Sequence, residues 1–389
     1  MFRKTLVLVS LFTLAATTPL VAQSQDDVYY ASHYAYRVVP VVEGLVQPWS
    51  MAWLPGGDML ITEKPGRLRI FRNGRLLPEA VPGIPEVLYN GQGGLFDVVP
   101  HPDFASNRLV YLTYAKPVGD SSTTALARGR FENDRLTDVV EIFAANASGN
   151  PGHYGGRLVF DNKGYMFLTL GDRQVPPQGD LEHHAAQDTS NHHGVIVRLH
   201  DDGRVPNDNP FVGQAGVEPA IWSYGHRSPQ GLLIHPETGD LWETEHGPQG
   251  GDELNRIEPG HNYGWPVIGF GVNYVSGSPI HPTTTKFGLD QPVFFWVPVI
   301  AASGLMVYTG DKFPAWYGNI FAGGLASERI SHLYMSDDYR SVVREESLAY
   351  DMGRIRDVRQ GPDGYIYFAT EDRAGREETA IYRMEPVAR

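Results

Sequence analysis

The chain reads as an all-β protein, a six-bladed β-propeller built from four-stranded antiparallel blades. Three observations predict it. Glycine (43) and proline (29) punctuate the 389 residues densely, with no long helical periodicity between them. Short runs of Val, Ile, Leu, Tyr and Phe fill the intervals. A hairpin unit recurs: an apolar strand, a turn carrying Pro, Asp or Gly, then a second apolar strand closing on a polar residue.

The copies are Met51–Glu63, Leu95–Ala115, Arg157–Asp172, Gly231–Glu245, a looser Leu305–Gly324, and Asp357–Asp372. They recur at roughly 45–75 residues, the spacing of propeller blades with variable insertions. A β-sandwich could use similar hairpins but does not require the repeat. Six copies predict six blades, with each first strand lining the channel and the loops of one rim forming the site. Closure is expected between the C-terminal strand Ala380–Met384 and the early segment Tyr36–Val42.

The N-terminus has the order of an export signal: Arg3 and Lys4, the apolar run Leu6–Ala16, then Leu20-Val21-Ala22 as a small-residue exit. Residues 1–22 are therefore expected to be a signal peptide. Residues 23–389 are expected to form one propeller domain, released to the periplasm or secreted. The run is short for a membrane span, so stable insertion is not expected. The chain has no cysteine, so stability in an oxidising space must come from the core and from metal. A formal charge of -13 argues against a nucleic-acid surface, which needs clustered Lys and Arg.

Several residues suit chemistry at the predicted rim. His153, in GHYGGRLVF, precedes one apolar strand, and Asp172 ends its hairpin partner. Antiparallel pairing brings the two ends together, where an Asp can hold a His tautomer for general-base work. A loop histidine and a turn aspartate account for this spacing equally well. Gln92 lies in a glycine-flanked loop, NGQGGLF, which is also an ordinary turn pattern. Arg227, in GHRSPQG, could grip a carboxylate or sit on the surface; Ser228 follows it. Arg354 and Arg356 stand two apart in an extended segment and so share a face. Gly247 and Pro248 offer backbone carbonyls and Glu253 a carboxylate, oxygens that suit calcium, although no EF-hand spacing is present. The pairs His183-His184 and His192-His193 lie in a polar insertion without HExxH or CxxC, so a solvated loop is preferred to zinc. Neither a dinucleotide-binding GxGxxG nor a GxSxG elbow is found.

These motifs together resemble the soluble quinoprotein aldose dehydrogenases, the glucose/sorbosone dehydrogenase family, which use pyrroloquinoline quinone (PQQ). The resemblance runs from about Gly44 to Met384. It is carried by GQGGLFDVVPHPDF, HYGGRLVF with LTLGD, GHRSPQGL, EHGPQGGDELN with NYGWP, and RIRDV, in that order. It implies a six-bladed propeller holding PQQ and calcium in its central cleft. His153 matches the base, Asp172 the aspartate beside it, and Gln92 an active-site glutamine. Arg227 matches an arginine over the quinone, with Ser228 next to it; Arg354 and Arg356 match those holding the quinone's carboxylates. The Gly247 and Pro248 carbonyls match ligands of the cofactor calcium, and Glu253 with the Tyr263 carbonyl resembles a second calcium site.

The implied reaction is oxidation of an aldose at C1 to a lactone. His153 takes the hydroxyl proton, hydride passes to PQQ, and electrons go on to an external acceptor, a cytochrome or quinone. Two departures stand out. Gly152 replaces the Asp that precedes the base in well-known glucose dehydrogenases, and Ala326 replaces a fifth-blade lysine, with Arg329 the nearest cation. Two other classes compete: a calcium-dependent lactone hydrolase and a non-catalytic ligand-binding propeller. The three arginines favour a tricarboxylate cofactor over both.

Overall fold

The six sequence hairpins are the inner halves of six antiparallel sheets arranged in a ring. The structure is a computed structural model, and it describes residues 28–387; the expected signal peptide, residues 1–22, lies outside the described residues. Blade 1 comprises Pro48–Trp53, Met59–Glu63, Arg67–Arg72 and Arg75–Leu76. Blade 2 comprises Leu95–Pro100, Leu109–Val118, Ser121–Glu132 and Arg135–Ala144. Blade 3 runs Gly155–Phe160, Tyr165–Leu170, Val195–His200 and Ile221–Tyr224. Blade 4 runs Pro229–Ile234, Leu241–Glu245, Asp252–Ile257 and Phe294–Trp296. Blade 5 runs Ala302–Val307, Ile320–Gly324, Ile330–Met335 and Val342–Leu348.

Blade 6 closes the ring. Arg354–Gln360, Ile366–Glu371 and Thr379–Val387 are joined by Ala35–Leu45 from the other end of the chain. The two segments expected to share a blade do so, in a register that pairs Val38 with Met384 and Val42 with Ile381. A short fifth strand, Val28–Tyr30, is added on the outer edge.

Packing explains why the strands read as unbroken apolar runs. Successive side chains of a strand point to opposite faces, and each blade is covered on both. Phe167 packs toward blade 4 with Ile196, Leu232 and Leu241, while Leu168 packs toward blade 2 with Tyr111 and Leu126. Leu232 and Leu233 divide in the same way between blades 3 and 5, and Met306 faces blade 6 while Leu305 faces blade 4. One cluster fills every gap between neighbouring blades, including the closing gap, where Met51, Met59 and Ile61 meet Tyr367 and Ile381. Burying each such aliphatic side chain contributes about 1.5–3 kcal/mol.

The inner strands line a channel, and below the rim two arginines tie it across by sharing two carboxylates. Arg157 is buried and bonds Asp97 (3.3 Å) and Asp357 (3.2 Å) from blades 2 and 6. Arg359 bonds the same two carboxylates, at 3.3 and 3.0 Å.

Candidate functional site

Hairpin register decides which residues meet at the rim. Outside blade 2 the first residue of the inner strand pairs with the last of the second strand, as Pro48 with Glu63, Gly155 with Leu170, Pro229 with Glu245 and Arg354 with Glu371, while in blade 2 Leu95 pairs with Tyr114 inside a longer second strand. Residues just beyond these pairs, at the same end of every blade, line a cleft of about 900 Å³. Gln92, His153, Asp172, Arg227, Pro248, Arg354 and Arg356 all line it.

His153 and Asp172 meet as the hairpin argument expects, with Nδ1 2.6 Å from Asp172 Oδ1. Both are buried. His153 has left-handed backbone (φ 45°), uncommon for a non-glycine residue. Its N–H donates to Gln92 Oε1 at 2.8 Å. Behind it, Arg173 donates to the Gly152 carbonyl at 3.0 Å and stacks on Tyr154. These contacts fix the loop. Asp172 Oδ2 accepts from Trp265 Nε1 at 2.8 Å, and Oδ1 also accepts from Gln174 N–H at 2.9 Å. Burial alone pushes the Asp172 carboxyl up, but His153 and Arg227 win and hold it below the usual range. Burial lowers His153 below its ordinary value, with Asp172 opposing. The imidazole is therefore neutral at pH 7. Its Nδ1 is committed to Asp172, which leaves Nε2 as the basic nitrogen.

Arg227 lies 5.1 Å over the Trp265 ring, and its Nη1 donates to the carbonyls of His246 (2.9 Å) and Gly247 (2.8 Å). The Gly247 carbonyl also accepts from the Tyr274 hydroxyl at 3.2 Å. Asp252 holds the Gly247 N–H at 3.0 Å and the Ala302 N–H at 3.2 Å, joining this turn to blade 5. Ser228 does not line the cleft: its N–H donates to Glu245 and its hydroxyl accepts from Gln230. Across the cleft, Arg354 and Arg356 share Glu371, at 3.2 and 2.9 Å. Arg329 does not replace a fifth-blade lysine at the cleft. It is turned to Ser347 and Glu345 on its own blade, while Ala326 itself lines the cleft.

Glu253 and Tyr263 line a second, far smaller cavity of about 10 Å³, room for about one water-sized sphere. Gly247, Pro248 and Glu245 line it too. Beside it, Asn255 Nδ2 lies 3.3 Å from carboxylate oxygens of Glu243, Glu245 and Glu253. His226 adds a ring nitrogen 3.2 Å from Glu245, and His226, Glu243 and Glu245 are spaced closely enough to share one metal ion. Burial and the Glu245 charge push Glu243 and Glu253 well above the usual carboxylate range. The histidine pairs of the insertion, by contrast, are spent locally: His184 accepts from Ala186 N–H and His192 from Asn146 N–H.

Unpaired buried atoms test the fit of the implied groups. Arg227 Nε and His246 Nε2 have no hydrogen-bond partner, and neither do the acceptors Glu243 Oε1 and Asn255 Oδ1. The first pair suits an anionic ligand in the cleft and the second a cation in blade 4. Five cationic side chains (Lys64, Arg227, Arg354, Arg356, Arg373) line the cleft against two carboxylates (Asp172, Glu371), in a chain of net charge -13. The residues fit a carboxylate-bearing cofactor and an oxygen-ligated cation.

Several site residues escape the sequence reading: Lys64, Glu245, Glu371, Gln174 and Trp265 as the partner of Asp172. Lys64, Glu245 and Glu371 stand at or one residue past the end of a second strand, and Asp172 stands two past. That register rule, applied to all six hairpins, finds them.

Comparison with known proteins identifies the family. The family model of glucose/sorbosone dehydrogenases matches residues 45–383. Aldose sugar dehydrogenase YliI of Escherichia coli (strain K12) is 41% identical over 366 residues, covering 92% of this chain and 95% of that protein. The crystal structure of the soluble aldose sugar dehydrogenase of Escherichia coli in its apo-form superposes with a TM-score of 0.84 at 39% identity, covering 90% of this chain and 100% of that one. The PQQ-bound aldose sugar dehydrogenase of Streptomyces coelicolor gives 0.73 at 26% identity, covering 90% and 98%. The chain belongs to the glucose/sorbosone dehydrogenase family.

Proposed function

We propose that this protein is an exported quinoprotein that oxidises aldose sugars at C1 to lactones, using PQQ and calcium, and passes the electrons to an external acceptor. The observation that carries this reading is the buried His153–Asp172 pair opening on the same cleft as a surplus of cations. A hydrolase needs a base and a metal but no such surplus. PQQ, when bound, supplies the hydride acceptor and calcium a Lewis acid beside it.

The chain's own residues divide the remaining work. His153 Nε2 takes the proton of the C1 hydroxyl. Asp172 holds the imidazole by Nδ1 and stabilises the positive charge that the ring acquires. Trp265 fixes Asp172, and Gln92 fixes the His153 backbone. Arg227, beside the His153–Asp172 pair, stabilises negative charge that develops in the cleft. Arg354 and Arg356 hold cofactor carboxylates. The Gly247 and Pro248 carbonyls would hold the cofactor calcium, the Gly247 oxygen being shared at present by Arg227 and Tyr274. Glu253 and Tyr263 bind a second calcium, with Glu243 and Glu245 as further acidic oxygens.

The test is titration of the purified protein with PQQ and calcium, followed by an aldose. A bound-quinone absorbance that sugar bleaches is the expected result. Absence of any spectral change, with lactone hydrolysis detected instead, rejects the oxidoreductase assignment for the hydrolase.

A further inference from the structure

Lys64 is a buried cleft cation that the proposed chemistry leaves unused. It follows the second strand of blade 1 and is 8% exposed. Its Nζ donates to the Gly91 carbonyl at 3.1 Å and lies 5.9 Å over the Tyr89 ring. An ammonium has three donors. No carboxylate among the described residues pairs with it within 4 Å. Glu371, the acid nearest in kind, is already shared by Arg354 and Arg356. Lys64, Arg354 and Arg356 thus gather near one carboxylate, with the exposed Arg373 at the edge of the group, and Lys64 is the buried cation without an ion pair. A buried charge without a counter-charge is costly, so such an arrangement needs an anion from outside the chain.

We propose that Lys64 completes a carboxylate-binding subsite with Arg354 and Arg356, reaching across from blade 1 to blade 6. This rests on the quinoprotein reading only for the source of the carboxylate. A cofactor carboxylate and the carboxylate of an acidic sugar, a uronic acid, have the same chemistry here. The charged and titratable groups that face Lys64 are Arg354, Arg356 and Arg373, the Glu371 carboxylate and the Tyr89 phenol. Burial, then the Arg356 charge, lowers the Lys64 ammonium to about 8. Burial pushes Glu371 up, but Arg356 and Arg354 hold it below the usual range, so it stays charged. Lys64 is accordingly the member of this set that changes charge between pH 7 and 9. A carboxylate bound beside it favours the charged form. Affinity should be level below pH 8 and fall above it, by about tenfold at pH 9.

The experiment measures binding of PQQ, and separately of benzene-1,3,5-tricarboxylate, by calorimetry on full-length protein from pH 7 to 9. Wild type, Lys64→Met and Lys64→Arg are compared, with thermal melts as a check on folding. Lys64→Met is expected to bind roughly ten- to hundredfold more weakly at pH 7 and to lose the fall above pH 8. Lys64→Arg is expected to keep the affinity and lose the fall. Weakened PQQ binding assigns the carboxylate to the cofactor. Unchanged PQQ binding with a KM raised for glucuronate but not for glucose assigns it to the sugar. If the wild type ignores PQQ yet binds the tricarboxylate through Lys64, the cofactor reading fails and the subsite stands. If Lys64→Met binds both ligands as the wild type does, with the same pH profile and the same KM for both sugars, the subsite is overturned. Wild type that binds neither ligand overturns it as well.

Discussion

Two sets of buried carboxylates lie in neighbouring blades, and burial has opposite outcomes in them. Asp172 has three donors, from His153, Trp265 and the Gln174 backbone, with Arg227 nearby. It stays ionised, its carboxyl held below the usual range. In blade 4, Glu243, Glu245 and Glu253 surround one amide, that of Asn255. Burial and mutual repulsion push Glu243 and Glu253 up, and only Asn255 opposes. The desolvation cost is similar in kind; the supply of positive partners differs. The first set is complete within the chain and is suited to act on a proton. The second has an amide where the first has cations, and in the function proposed above a metal ion completes it.

The largest effect should come from the complete set. On PQQ- and calcium-loaded protein, His153→Ala should lower kcat roughly 10²–10⁴-fold, the usual contribution of a general base, with the melting temperature lowered because buried Asp172 loses a partner. Near-normal turnover with sugar and an artificial electron acceptor would exclude His153 as the base. The pH profile carries a sign. His153 acts when neutral and burial lowers it, so the acid limb of kcat/KM should lie below the ordinary histidine value, about 6.5. Asp172 raises His153, so Asp172→Asn should move that limb further down while reducing the rate. An acid limb that moves up instead contradicts the pairing.

The incomplete set should respond in stability. Calcium that binds only the folded protein at 100 times its Kd stabilises by about 2.7 kcal/mol. Melting in calcium should therefore lie several degrees above melting in chelator. Glu253→Gln removes one charge from the cluster. It should erase most of the calcium response, while in chelator it melts at or above the wild type, because a crowded buried carboxylate has been neutralised. Equal melting of the wild type in calcium and chelator would mean that the cluster is satisfied without metal.

Sequence reading reached these two sets unequally, for physical reasons. The blades were legible because each hairpin repeats one pattern, and His153 and Asp172 because one turn joins them: antiparallel pairing makes sequence neighbours into spatial ones. Both neighbours of each blade bury its faces, so the strands lacked alternation, and their apolar runs gave no register. Glu243 and Glu245 lie inside such a run, LWETE, and read as polar strand residues. Only pairing with the next strand, Glu245 opposite Glu253 and Glu243 opposite Asn255, brings the acids together. Lys64 lines the same cleft as Arg354 and Arg356 across the closing seam, although the chain separates them widely. Gly152 shows the same limit: a Cβ there would come 2.3 Å from the Gln174 side-chain amide carbon, so Gln174 occupies the space beside His153. No local pattern indicates that exchange.

The smallest expected effect sharpens the comparison most, because it removes one partner from the complete set without altering its charge. Trp265 donates its indole N–H to Asp172 Oδ2 and presents its ring to Arg227. Phenylalanine keeps a ring for the guanidinium and loses the donor. Leaving a buried acceptor short of one bond costs about 1–3 kcal/mol. Part of that is recovered here, because Asp172 retains His153 and the Gln174 backbone. Trp265→Phe should therefore reduce kcat by no more than about tenfold. With one donor lost, the Asp172 carboxyl rises toward the usual range while His153 remains its main partner. The acid limb of kcat/KM should then stay below the ordinary histidine value, in contrast to the larger displacement in Asp172→Asn. A loss as large as that of His153→Ala would place Trp265 among the groups that touch substrate or cofactor. A loss too small to measure would show that His153 and the Gln174 backbone suffice to keep Asp172 ionised.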